Sequence, residues 1–199
     1  DTAQSFTLGG PIIKDKAFFY VTYEETTVTN PVLYGPAGSG AANEQAITLA
    51  QVDNIRQITI NKYGWDPLGV ASTTESNQEN TSLRVDYILN ENHRLTYNYK
   101  STEGDRLRAS GSNSSFYFES ASYFKGEKTD TSSILLVSDW SDNLVSEIYY
   151  SNKSTDTSQE SPAGQNVPNF YIDDAYGMRI YLGADIYRSA NELATETDF

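Results

Sequence analysis

The chain has 199 residues and a formal charge of −13, which argues against nucleic-acid binding, because phosphates call for Lys and Arg. It has no cysteine, so disulfides and thiolate metal sites are excluded. No run of about 20 apolar residues exists either, which excludes a transmembrane helix. The start, Asp1-Thr2-Ala3-Gln4, has neither the basic nor the apolar region of a signal peptide. Fifteen Tyr and eight Phe point to strands or to a membrane–water interface, where an apolar ring with a polar tip is favoured.

In chain order, Ser5–Ile13 reads as a strand that stops at Gly9-Gly10-Pro11, since Pro cannot donate to a ladder. Ala17–Thr27 is a clear strand: Ala17, Phe19, Val21 and Tyr23 make one apolar face, and the other face is mixed. A Pro/Gly-rich stretch from Asn30 to Gly40 follows. Thr48-Leu49-Ala50-Gln51 then fits a capping box, Val52, Ile55 and Ile58 recur at one-turn spacing, and Gly64 stands at the C′ position. A short helix carried on a loop is expected there.

Thr81–Leu89 and Leu95–Lys100 form the cleanest hairpin. Leu83, Val85, Tyr87, Leu95, Tyr97 and Tyr99 oppose Arg84, Asp86, Arg94, Asn98 and Lys100. Period-two alternation with charges on one face requires water on that face. A third hairpin, Thr129–Trp140 and Leu144–Lys153, turns at Ser141-Asp142-Asn143. Ser115–Phe124 reads as further strand, and a last strand begins in Asn191–Phe199.

The connections alternate in length. Lys14–Lys16, Asn90–Asn92 and Ser141–Asn143 are tight, whereas Val28–Glu79, Gly104–Lys128 and Asp156–Ala190 are long and polar. This ordering is that of a transmembrane β-barrel with short periplasmic turns and long extracellular loops. The expected fold is therefore all-β: an antiparallel meander forming part of a large transmembrane barrel, with the short helix in one extracellular loop. Six or seven strands fall short of the roughly eight in the smallest single-chain barrels, so residues 1–199 read as a partial barrel, lacking a plug and the remaining strands.

Four blocks carry a family resemblance. The segment Phe6–Tyr20, with its Leu8-Gly9-Gly10-Pro11-Ile12-Ile13-Lys14-Asp15-Lys16 run, resembles the early barrel of TonB-dependent outer-membrane receptors of the Oar-like group. Ala50–Ile55 with Lys62-Tyr63-Gly64, Leu83–Tyr87 with Asn92–Thr96, and Tyr187–Leu193 follow in the order of that group. The resemblance implies a barrel of about 22 strands, a plug and a TonB-interacting segment upstream, and energy from an inner-membrane TonB complex. It implies location in the bacterial outer membrane, contact with its lipid, and an unidentified transported substrate. In that reading Arg84, Asp86, Arg94, Asn98 and Lys100 face the lumen or plug, and Gly9, Gly10 and Pro11 lie at the periplasmic rim.

No nucleophile constellation is present, and neither catalysis nor a cofactor is expected. His93 reads as a solvated rim residue, and Glu24-Glu25 and Asp173-Asp174 lack the alternating spacing of a calcium loop. The competing function class is a secreted or cell-surface β-rich binding module, an adhesin or glycan binder, whose Tyr residues stack on sugars.

Overall fold

The chain pairs its strands in sequence order because each apolar alternating segment is followed by a turn too short to reach anything but its neighbour. A computed structural model describes residues 1–109, 111–164, 166–184 and 192–198. Its strands are β1 (Thr2–Ile13), β2 (Ala17–Pro31), β3 (Tyr34–Ala37), β4 (Asn43–Thr48), β5 (Thr73–Asn90), β6 (His93–Arg108) and β7 (Ser115–Tyr117). They continue with β8 (Tyr123–Ser141), β9 (Leu144–Glu160), β10 (Phe170–Ala175), β11 (Met178–Leu182) and β12 (Glu192–Asp198). The protein is all-β, with one short helix, α1 (Leu49–Ile58).

Seven strands make one antiparallel sheet in the order β1-β2-β5-β6-β8-β9-β12. Tight turns join β1 to β2, β5 to β6 and β8 to β9 at one end, and the long connections all lie at the other. Among the described residues β1 and β12 each pair on one side only, so the sheet is open.

Three differences from the sequence reading stand out. First, β1 does not stop at Gly9-Gly10-Pro11. It runs through to Ile13, with a register shift between Pro11 and Ile13. Pro11 is tolerated because it stands at that shift, where the ladder is interrupted, and Gly9 is needed because a Cβ there would meet Tyr20 Cδ2 at 2.9 Å. Second, the sheet strands extend deep into the expected excursions, which shrink to 32–72, 109–122 and 161–191. Both faces of a segment such as Thr73–Asn80 are polar, so no alternation announces it, and the neighbouring ladders carry it. Third, the further strand expected over Ser115–Phe124 is broken in two, and only Tyr123 and Phe124 belong to the large sheet, at the start of β8. The first three residues of the segment form β7, and a 3₁₀ turn at Glu119–Ala121 separates them from β8. The strand expected in Asn191–Phe199 is present as β12. The Tyr187–Asn191 part of its block lies outside the described residues.

The helix forms as the capping box dictates. Thr48 N donates to Gln51 Oε1 at 2.9 Å, and Gln51 N donates to Thr48 Oγ1 at 3.3 Å. Val52 and Ile55 are buried, but Ile58 is 41% exposed, so the expected three-residue stripe is two residues long. The reason is a π-turn at Thr59–Tyr63 that rotates the chain before Gly64 ends it at φ 77°.

Buried hydrophobic packing centres on the loop end, not on the large sheet. Ile47, Val52 and Ile55 from the first excursion meet Phe116 and Phe118 from the second and Met178, Ile180 and Leu182 from the third. β7 pairs parallel with β11, and β11 antiparallel with β10, so Phe116, Ile180 and Ile172 share one face of a small sheet. Tyr117, Tyr181 and Tyr171 share the other, with Tyr117 and Tyr181 stacked at 4.2 Å. Ser120, fully buried, ties the three excursions together. Its N donates to Pro67 O at 3.2 Å, its carbonyl accepts from Ser161 Oγ at 2.8 Å, and its Oγ accepts from Gly183 N at 3.1 Å.

This cap is expected to melt as one unit. Phe118→Ala should cost about 3–5 kcal/mol and raise amide exchange in all three excursions together while the large sheet stays protected. Gly183→Ala should do the same, because φ is 82° and an added Cβ would fall 1.6 Å from Pro168 O. Loss of protection confined to one excursion would contradict a shared core.

Candidate functional site

The two faces of the large sheet differ in chemistry, and the register says how. Thr7, Thr22, Ser82, Lys100, Thr131 and Lys153 stand in one row across the strands. That row lies six residues before Ile13 on β1, eight before Asn90 on β5 and ten before Ser141 on β8. Each hairpin thus steps two residues past the last, or one residue per strand. With a rise of ~3.3 Å and a strand spacing of ~4.8 Å, the line of turns is inclined about 35° to the perpendicular of the strands. Membrane barrels tilt their strands by about 35–45°.

The apolar face follows the same slope. Reading from the turns, it runs Phe19, Val21, Tyr23 on β2; Tyr87, Val85, Leu83 on β5; and Leu95, Tyr97, Tyr99 on β6. On β8 it has Leu136 and Ile134, and on β9 Ile148 and Tyr150. Its polar limit comes at Glu25, Thr81, Ser101, Ser132 and Asn152, and so shifts by two residues at each hairpin. The band is about four alternate positions deep, roughly 20 Å along the tilted axis. Ile148 is 62% exposed and Leu8 51%, so nothing among the described residues covers it. At its turn edge His93 and Trp140 pack edge to face at 5.0 Å, and Trp140 Nε1 donates to Ser146 Oγ at 2.8 Å. At its loop edge Tyr99 Oη donates to Asp130 Oδ1 at 2.8 Å. Above lies a row of charges, Glu25, Glu79, Glu103, Lys128 and Asp156. Three glutamates directly opposite one another are tolerable only in water.

The opposite face is mixed at the same height, with Phe18, Tyr20, Ile88, Leu135, Val137 and Tyr149 nearer the turns among its polar side chains. Arg84, Asp86, Arg94, Asn98 and Lys100 all stand on it, as their alternation predicts. Arg84 holds Asp86 through two bonds of 2.7 and 2.9 Å, and Thr96 Oγ1 donates to the same carboxylate at 2.8 Å. Asn98 contacts Ser133 at 3.5 Å. The cations Arg106 and Arg108 share this face but were hidden from the sequence reading, because Gly104 was taken to end the strand. Gly9 and Pro11 lie on the polar face near the turns and Gly10 on the apolar one.

The cap adds a cleft of about 370 Å³ between the first two excursions, lined by Tyr34, Gln45, Val70, Phe116 and Tyr117 among others. Gln45 Nε2 donates to Ser112 O at 2.6 Å and to Ser115 O at 2.8 Å, which fixes one wall. Glu24 and Glu25 point to opposite faces of β2, and Asp173 is engaged by Arg179 at 2.9 Å, so neither acidic pair converges. Among the described residues no group of three or more His, Asp or Glu is placed to hold a metal. No helix among them is long and apolar enough to cross a membrane, a statement that leaves strands untouched.

Comparison with family models, curated proteins and solved structures finds no match.

One ion pair gives the cap a pH dependence. Arg56 donates to both oxygens of Asp66 at 2.8 and 2.6 Å, and Leu68 N donates to Asp66 Oδ1 at 2.8 Å. These bonds, the Arg56 one foremost, hold the Asp66 carboxyl below its ordinary value of 3.8, against burial that pushes it up. A carboxylate lowered in the folded state stabilises it above the ordinary value and stops doing so as pH falls through the lowered one. Helix α1 should therefore exchange faster as pH drops below the ordinary carboxylate range. Asp66→Asn should flatten that response at the Asp66–Leu68 turn. An unchanged acid response in Asp66→Asn would remove this pair as the cause.

Proposed function

We propose that this chain is wall and extracellular cap of a TonB-dependent outer-membrane transporter. The observation that carries the membrane reading is the apolar band inclined to the strands at the slope of the turns. A soluble sheet buries its apolar face against a second layer of protein, and that layer has no reason to follow the turns. A bilayer is a flat slab, and strands tilted through it must shift their apolar stretch by the stagger from each strand to the next. His93 and Trp140 at one edge and Tyr23 and Tyr99 at the other fit the two interfaces.

The transporter class rests on the resemblance of the Phe6–Tyr20 block and its three successors. In this reading the free edges of β1 and β12 are closed by further strands of a larger barrel, since lipid leaves no unpaired edge affordable. The polar face with Arg84, Asp86, Arg94, Asn98 and Lys100 looks onto the lumen and plug, and the cap looks outward. Cargo crosses the outer membrane on energy from the inner-membrane TonB complex, and the segment itself catalyses nothing.

Topology is the test. In intact cells a single Cys at Ser39 or Ser161 should react with an impermeant reagent, and one at Asn92 or Asp142 should not. The reverse pattern would overturn the assignment of the loops to the outside. Val85→Arg, on the apolar face, should cost roughly 2–4 kcal/mol in bilayer folding, whereas Ser82→Arg, on the polar face, should cost little. Equal tolerance at both positions would contradict the assigned faces.

A further inference from the structure

Charge is sorted between the faces of the large sheet. Along β6 the polar face carries Arg94, Lys100, Arg106 and Arg108 and no carboxylate, while Glu103 and Asp105 of the same strand stand on the opposite face. On the same face of the neighbouring strands the cations are matched by carboxylates: Arg84 is bound to Asp86 on β5, and on β8 Lys125 is outnumbered by Glu127 and Asp139. Arg106 and Lys125 are direct cross-strand partners, a like-charge pair that destabilises a sheet unless something negative lies between them. Among the described residues neither has a carboxylate within ion-pair distance, although Arg56, Arg84, Lys128 and Arg179 all do. A cleft of about 250 Å³ opens at this point, lined by Ser76, Gln78, Thr102, Arg106 and Lys125 and also by the carboxylates Asp105 and Glu127.

We propose that β6 forms a basic ladder for small anionic solutes bearing several carboxylate or phosphate groups, which enter at Arg106 and Lys125 and pass towards Lys100 and Arg94. The cations are six residues apart, from Arg106 to Lys100 and from Lys100 to Arg94, or about 20 Å per step along the strand. In a chain of net charge −13 such a ladder favours an anion, and the acidic row on the other face repels it. Rings of Arg and Lys serve anion and phosphate pores in this way. As a route of passage the ladder rests on the transporter reading. As a binding surface it does not.

The test uses the complete protein in lipid vesicles with citrate as the probe and glucose as the neutral control. The wild type should bind citrate at low salt, bind it more weakly at high salt, and ignore glucose. Lys100→Glu with Arg106→Glu should weaken citrate binding by about tenfold or more, and Lys100→Arg with Arg106→Lys should retain it. Lys62→Glu, a single charge reversal out on the cap, should leave it unaltered, whereas Lys100→Glu or Arg106→Glu alone should weaken it. If the double reversal does not fold, Lys100→Gln with Arg106→Gln makes the same comparison. Absence of citrate binding in the wild type, or equal weakening by Lys62→Glu, overturns the ladder. A protein that fails to insert in vesicles yet binds citrate through Lys100 and Arg106 keeps the ladder and loses the membrane reading.

Discussion

A stagger of one residue per strand governs the rest of this architecture. It sets the inclination of the turns to the strands, and with it the direction in which an apolar band can run. Because side chains alternate with period two, a slip of one residue would exchange the two faces. The stagger therefore holds Leu83, Val85 and Tyr87 in register with Tyr99, Tyr97 and Leu95, and keeps Arg84 and Asp86 opposite Asn98 and Thr96. Backbone ladders along strands of up to 19 residues enforce it.

The wall and the cap are stabilised by different means. In the wall the strands supply the hydrogen bonds, and large apolar side chains stay exposed, in a continuous band on one face and near the turns on the other. In the cap short elements are held by a buried cluster and by side-chain bonds such as those of Gln45 and Ser120. Three excursions that close on one another form a single packed unit, so a change in one is felt by the other two. The polar face below them is lined by small hydroxyl and amide side chains, Thr22, Ser82, Asn98 and Ser133 among them, between its few charges.

Legibility in the sequence followed locality. The turns, the alternation next to them, the capping box at Thr48 and Gln51 and the stop at Gly64 all depend on residues within a few positions, and all are found where the pattern places them. The five polar residues Arg84, Asp86, Arg94, Asn98 and Lys100 share a face for the same reason. The upper halves of β5, β6 and β8 were not legible, because two polar faces leave no period to read. The cap core was not legible either, since Ile47, Phe118 and Ile180 meet only after three separate returns of the chain. Arg106 and Arg108 keep the parity of Arg94 and Lys100, so their face could have been read had β6 been carried past Gly104.

The central claim is that a slab of lipid meets the sheet along the slope of its turns. Spin labels placed singly along β2, β5 and β8 of the complete protein in bilayers measure this directly, through their accessibility to oxygen and to a polar paramagnetic reagent. Oxygen accessibility should alternate with period two, high at Val21, Val85 and Ile134 and low at Thr22, Arg84 and Ser133. The level at which the polar reagent takes over on the apolar face should fall between Tyr23 and Glu25, between Leu83 and Thr81, and between Ile134 and Ser132, two residues later at each hairpin. A takeover along one straight row of paired residues, or equal accessibility of both faces, would contradict the account.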